Sequence, residues 1–316
     1  MRSRHVRIAL CFAAVYLIWG STFFAVRFAV EDVPPLFLAG NRFALAGLIV
    51  LAFASRRGAA LPRVPWLDAI VPGLLFFAGA NGAVCWAEAN GLPSGTAAML
   101  IATEPLWVAL FSRIGSSESS PLSWLQRIGL VGGFFGTALL VRGATQGVGW
   151  VAAVVVFGAM AWAIGSLLVA HRARRRTCQP PPDPIALAGL HMVVGGIGCL
   201  VLSVGLGESV PRLSSIGPAA IAAFFYLVVF GSIVAFLAYT FLLRNVATTR
   251  VATYAYVNPV VAVLLGTLAG ESIDGGALVA MAIVIGAVVL TLRPKPRDPP
   301  RMPGLIPRRA HASTSC

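Results

Sequence analysis

Apolar residues fall into ten runs of membrane-spanning length, roughly 17 to 25 residues each. Their limits are Ile8–Val26, Leu36–Ala54, Leu67–Ala87, Ser94–Phe111, Trp124–Val141, Val148–Ala170, Ile185–Leu206, Ala219–Leu243, Val251–Ala269 and Gly275–Leu292. The joins are short and several hold Pro or Gly, as at Pro34-Pro35, Pro93 and Pro180-Pro181-Pro182, which leaves no room for a soluble domain. One run departs from the pattern. Ser94 to Arg113 carries Glu104 and Pro105 in its middle, where a carboxylate costs roughly 2.5 kcal/mol or more unless it faces protein or a water-filled cavity. Pro105 lacks a donor and crowds the preceding turn, so the pattern predicts an interrupted helix beside the acid. Thr249 to Ala269 repeats the plan with Asn258-Pro259 at the same depth, about ten residues or roughly 15 Å into its span. Both spans are expected to be interrupted, as two copies of one element.

The rest of the chain repeats as well. PPLFLAGNRF at Pro34 to Phe43 matches DPIALAGLHM at Asp183 to Met192, which sets Arg42 against His191. Trp19 falls on Trp162, Pro105 on Pro259, Glu104 on Asn258, and Leu139 to Arg142 on Leu290 to Arg293, with an offset between 143 and 154 residues. Five spans is an odd number, so the second copy enters the membrane upside down. The expected fold is all-α and polytopic: ten transmembrane helices as two inverted five-helix repeats. Its parts are a cytoplasmic N-terminus at 1–7, repeats at 8–142 and 143–293, and a basic, Pro-rich, disordered cytoplasmic tail at 294–316. Inverted repeats belong to secondary transporters, which bind solute near the midplane beside interrupted helices.

Composition agrees with the pattern: 58% of the 316 residues are hydrophobic and 11% charged. The net charge of +13 suggests nucleic acid until its distribution is read. With the N-terminus inside, 20 basic residues fall on the cytoplasmic side and 3 (Arg27, Arg142, Arg212) outside, with Arg42 within a span. That bias orients a membrane protein, and nucleic-acid binding is not expected. The N-terminal MRSRHVR and the run after it resemble a signal peptide, but the run's length reads as an uncleaved first helix. The five cysteines and four histidines form neither a disulfide framework nor a metal-ligand spacing, so neither metal nor cofactor is expected.

Candidate chemistry lies in the few polar groups within the spans. Glu104 either binds a cationic group or exchanges a proton, or else pairs with Arg42 or with backbone freed by Pro105. Arg42 either holds an anionic part of a solute or carries its guanidinium to the outer headgroups, Glu31 or Asp32. His191 is either a packing residue or a proton carrier. Asn81, Trp86, Tyr239, Tyr254, Tyr256 and Asn258 suit the wall of a cavity for a partly apolar, partly polar solute, and aromatics equally suit interfaces and helix contacts. The glycines at 129, 132, 133 and 136 read as close helix packing. No GxSxG, HExxH or nucleotide loop occurs, so an enzyme is not expected and a solute or proton gradient is the energy source.

These stretches resemble a known family. IWGSTFFAVRFAVEDVPPLFLAGNRFALAG at Ile18 to Gly47, PSGTAAMLIATEPLWVALFS at Pro93 to Ser112, AMAWAIGSLL at Ala159 to Leu168 and VATYAYVNPVVAVLLGTLAGESI at Val251 to Ile273 are similar to the EamA-type permeases of the drug/metabolite transporter superfamily. The resemblance implies the ten-helix fold, a bacterial inner membrane, and export of metabolites, amino acids or drug-like molecules through a central cavity. The Gly-Glu after the ninth span is present as Gly270-Glu271, while its first-half counterpart is reduced to GSSESS around Glu118. The expected partners are a small-molecule substrate, the bilayer and a coupling proton. The expected function is a secondary exporter working by alternating access, against an intramembrane enzyme or a non-transporting scaffold or receptor.

Overall fold

The computed structural model describes residues 2–59, 65–112, 123–143, 149–175, 182–246, 251 and 254–291. Among these the protein is helical, with short connections and no strand. The helices are α1 (Arg2–Asp32), α2 (Pro35–Arg56), α3 (Trp66–Ala89), α4 (Ser94–Phe111), α5 (Trp124–Gly143), α6 (Gly149–Arg175) and α7 (Pro184–Gly205). After these come α8 (Pro218–Tyr226, Leu227–Val234 and Ala235–Asn245 in sequence), α9 (Tyr254–Leu268) and α10 (Gly275–Thr291). Seven of them hold a stretch long and apolar enough to cross a membrane, and Val257–Leu268 and Gly275–Thr291 are shorter apolar helices. Large apolar side chains such as Val131, Phe157, Val204 and Leu268 are exposed on the outside, as a hydrocarbon solvent requires. The basic residues Arg63, Arg113, Arg176 and Arg250, Glu118 and everything from Leu292 on lie outside the described residues.

Most predicted limits agree within two residues, but α1 runs well past the apolar stretch Ile8–Val26 at both ends. The two expected interruptions differ. α4 leaves the helix at Ala102 and Thr103 and resumes at Glu104, whereas α9 continues through Pro259, so the second expected break is absent. The sequence also did not predict that α3 and α8 each pass through a π-helical stretch, Leu74–Gly82 and Leu227–Val234.

α1 lies at the centre, against α9, α8, α4 and α3, while α6 packs on α3 and α4. α2 pairs with α7 and α5 with α10; α2 also touches α8, and α7 touches α3. Glycine sets the closest of these approaches. A Cβ on Gly47 would stand 2.7 Å from the Gly189 carbonyl oxygen, and one on Gly129 would stand 2.7 Å from that of Ala287. Backbones in contact gain dispersion that bulkier residues would forfeit.

Two Gly-Glu pairs close one end of the helix bundle. Gly207 and Gly270, at φ of 73° and 83°, end α7 and α9 in the left-handed region that favours glycine. The next amide then bonds back into the helix, Glu208 to the Ser203 carbonyl and Glu271 to that of Gly266, both at 2.9 Å. Each carboxylate goes on to cap another helix. Glu208 accepts from the Leu36 and Phe37 amides of α2 at 3.1 and 2.9 Å, and Glu271 from the Ser94 amide and hydroxyl of α4 at 3.3 and 2.9 Å. A helix start is where a negative charge is favoured.

Candidate functional site

A cavity opens where α1, α2, α3, α4, α8 and α9 meet, with Trp162 of α6 and Met192 of α7 completing the wall. The centre of a water-sized sphere can occupy ≈ 90 Å³ of it. One water needs about 10–15 Å³ on that measure, so the space holds several waters or a small solute. Rings of Trp19, Phe23, Phe43, Phe77, Trp162 and Phe236 supply most of the wall.

Five of the nine candidate residues line it: Arg42, Asn81, Glu104, Tyr254 and Asn258. The break in α4 puts Glu104, 7% exposed, at the first turn of its second helical piece. Its Oε2 accepts the Tyr254 hydroxyl proton, which ties α4 to α9. Asn258 is also 7% exposed, and its Oδ1 has no hydrogen-bond partner among the described residues. Arg42 is 3% exposed; its Nε donates to Ser232 Oγ at 2.9 Å and its guanidinium carbon lies 4.5 Å from the Phe43 ring centre. Neither the Glu104 pairing nor the Glu31 or Asp32 pairing predicted for it forms, and no acid among the described residues lies within ion-pair distance of it. A lone charge at such a site is costly by several kcal/mol unless a partner or water meets it.

Three more candidates stand back from the cavity. Tyr239 packs in a second layer, its ring 5.0 Å from that of Trp19 and 6.1 Å from that of Tyr254. Trp86 faces Trp150 at 5.0 Å. His191 is buried with Nε2 3.0 Å from the Asp68 carbonyl oxygen, while its neighbour Met192 reaches the wall. The side chain of Tyr256 lies outside the described residues.

The π-helical stretches contribute two polar groups, the candidate Asn81 and Ser232, which sequence reasoning passes over. Asn81 Nδ2 donates to the Phe76 carbonyl at 2.9 Å and Ser232 Oγ to that of Leu227 at 3.0 Å, each five residues back. A widened turn frees such carbonyls, and a short polar side chain meets them. Trp19 Nε1 donates to the Gly231 carbonyl within the α8 stretch at 3.1 Å, while Trp162 Nε1 is buried without a partner among the described residues. The two indoles meet edge to face at 6.1 Å. Their alignment between the halves is the available signal for placing both at the site. Thr22 and Ser232 offer none, because hydroxyls in apolar spans read as packing.

Glu88 is a buried residue of α3, and neither of its carboxylate oxygens has a partner among the described residues. Among the described residues no three His, Cys, Asp or Glu side chains come together to hold a metal ion.

Comparison with known proteins gives this arrangement a context. The model of the EamA-like transporter family matches residues 6–142 and again 149–293. The chain belongs to the EamA-like transporter family. As an EamA protein it is a membrane transporter of the drug/metabolite transporter superfamily, with a small-molecule substrate and the bilayer as its surroundings. It is 40% identical over 280 residues to the uncharacterized inner membrane transporter YedA of Escherichia coli K12, covering 88% of each chain. A probable amino-acid metabolite efflux pump of Salmonella typhimurium is 24% identical to this EamA chain, over 88% of it and 94% of the pump. A protein crystal structure 20% identical in sequence, covering 90% of this chain and 96% of its own, is alike in fold with a TM-score of 0.61.

Proposed function

We propose that this EamA protein is a secondary exporter of small organic metabolites, amino acids or drug-like molecules, working by alternating access between two inverted five-helix repeats at 8–142 and 143–293. The observation that carries the reading is a cavity walled by both halves, with Glu104 of α4 held by Tyr254 of α9. A solute there touches both repeats at once, as rocking of one against the other requires. The helix packing supports the inverted plan. Exchanging α1 with α6, α2 with α7, α3 with α8, α4 with α9 and α5 with α10 maps the most extensive contacts onto one another, α1 on α9 becoming α6 on α4 and α1 on α8 becoming α6 on α3. The π-helical stretches fall in the exchanged pair α3 and α8.

In this reading all ten helices cross a bacterial inner membrane with both termini in the cytoplasm, as the basic residues favour. Export is supported by the efflux pump among the relatives. Glu104 is the group that exchanges the coupling proton, because it is the cavity's acid and its bond to Tyr254 crosses the interface between the halves. The test is untargeted profiling of medium and cell extract from cells with and without the overexpressed protein. Export raises at least one solute in the medium while lowering it in the cells. Accumulation inside the cells, or a new chemical product in place of a displaced solute, overturns the reading.

A further inference from the structure

We propose that Arg42 is a subsite for a planar organic anion, and that the transported solute is a small carboxylate on an aromatic or branched apolar body. This deepens the transport reading above and rests on it. Arg42 is buried in the cavity wall with its Nε committed to Ser232 and one face over Phe43. Its two terminal nitrogens donate to no protein group among the described residues, and no acid there lies within ion-pair distance. Ser232 is itself fixed to the Leu227 carbonyl in the π-helical stretch of α8, so the guanidinium is anchored at one edge and open at the other.

A planar fork so held matches a carboxylate, which accepts two parallel N–H bonds. Charge decides between one negative charge and two. Arg42 is the basic residue of the lining and Glu104 is its acid, so a dianionic phosphate ester would leave the cavity strongly negative, whereas a monoanion pairs with Arg42 one to one. The solute's body follows from the rest of the wall, where Trp19, Phe43, Phe77, Trp162 and Phe236 leave little for a polyhydroxylated solute to bond.

The indoles of Trp19 and Trp162 line the same space, so tryptophan fluorescence of the full-length protein purified in detergent reports occupancy. Four probes share one ring: 3-phenylpropanoate, 3-phenylpropanol, 3-phenylpropylamine and phenyl phosphate. The acid should bind roughly tenfold or more tighter than the alcohol and the amine, and Arg42→Gln should weaken it roughly 10- to 100-fold while leaving the alcohol unchanged. Arg42→Lys keeps the charge without the fork, so acid binding should fall between the two. If the Gln variant does not fold, the Lys variant decides, by a loss confined to the acid.

Failure of the acid to bind, equal binding of acid and alcohol, equal loss of both on substitution, or tighter binding of phenyl phosphate each overturns the proposal. The two readings separate in proteoliposomes. Translocation of the alcohol or amine without acid preference leaves transport standing and removes the anion subsite. Acid binding that needs Arg42, without translocation of any probe, does the reverse.

Discussion

In α4 the chain leaves the helix at Ala102 and Thr103 and re-enters it at Glu104, whereas α9 passes from Tyr254 to Leu268 through Pro259 without leaving. Both prolines remove a donor and crowd the turn before them, so proline alone does not explain the difference. The residue two positions before it differs between the two spans. Thr103 donates its hydroxyl to the Leu100 carbonyl at 2.7 Å and its amide to the same oxygen at 3.2 Å, which tightens the turn, and its own carbonyl accepts the Leu106 amide at 2.9 Å. The matching position in α9 is Val257, which has no hydroxyl to offer. The break gives Glu104 a fresh helix start, where backbone N–H groups favour a carboxylate. Asn258, in mid-helix, is a neutral amide. One backbone position thus serves two chemistries, and the charge sits where the helix begins.

The comparison is broken most severely by releasing the start of α4. Glu271, which follows α9, holds Ser94 at the start of α4 and pairs with Arg27 at 2.9 Å. Glu271→Ala is expected to cost on the order of 2 kcal/mol, mostly through the lost cap, because the Arg27 side chain is 36% exposed and its ion pair is discounted for solvent. Glu208→Ala, which releases α2 in the same way, is expected to cost a similar amount. Thermal unfolding of the purified variants measures both. An unchanged midpoint for Glu271→Ala means that α4 does not depend on α9 at that end.

Next in size is the exchange of acid for amide at Glu104. Glu104→Gln makes the first copy resemble the second in charge, and the transport rate is expected to fall about tenfold with a flattened pH dependence. Tyr254→Phe keeps the acid but removes the hydroxyl bound to it and should act less strongly. Uptake into proteoliposomes over a range of external pH measures both. A Glu104→Gln protein with the original rate and pH profile assigns the carboxyl a structural role.

The two proline spans also mark how far the amino-acid sequence is legible. The apolar runs are, because a bilayer leaves a spanning helix no other composition. Glu104 and Asn258 are, because a polar group in such a run is costly and must face a cavity or a partner. The aligned Trp19 and Trp162 mark both halves, but alignment alone does not say that the two rings meet. Trp86, Tyr239 and His191 fall short of the cavity for a different reason: depth follows from counting residues, while the direction a side chain takes follows from which neighbour packs on each face. The π-helical stretches are invisible, since an added residue per turn leaves no mark on composition. Thr103 looks like any small residue of an apolar run, so the two proline spans read as equivalent.

The smallest effect bears on that equivalence most directly. If the Thr103 hydroxyl holds the break, then Thr103→Val, which gives α4 the Val-x-Pro of α9, removes the bonds to the Leu100 carbonyl and from Trp107 Nε1 at 3.2 Å while leaving Pro105 in place. The expected cost is about 1 kcal/mol, with faster amide exchange confined to residues around the break, since a lost hydrogen bond is worth about that much. Val257→Thr is the converse, and it should change exchange in α9 little. A hydroxyl in an intact helix bonds to a carbonyl already accepting an amide, so it has no widened turn to fill. Hydrogen–deuterium exchange on peptides covering the two prolines compares them in one measurement. Equal protection of the α4 peptide in wild type and Thr103→Val would mean that Pro105 and the packing around it open the turn without help from the threonine, and that the divergence of the two copies arises elsewhere than in their local sequence.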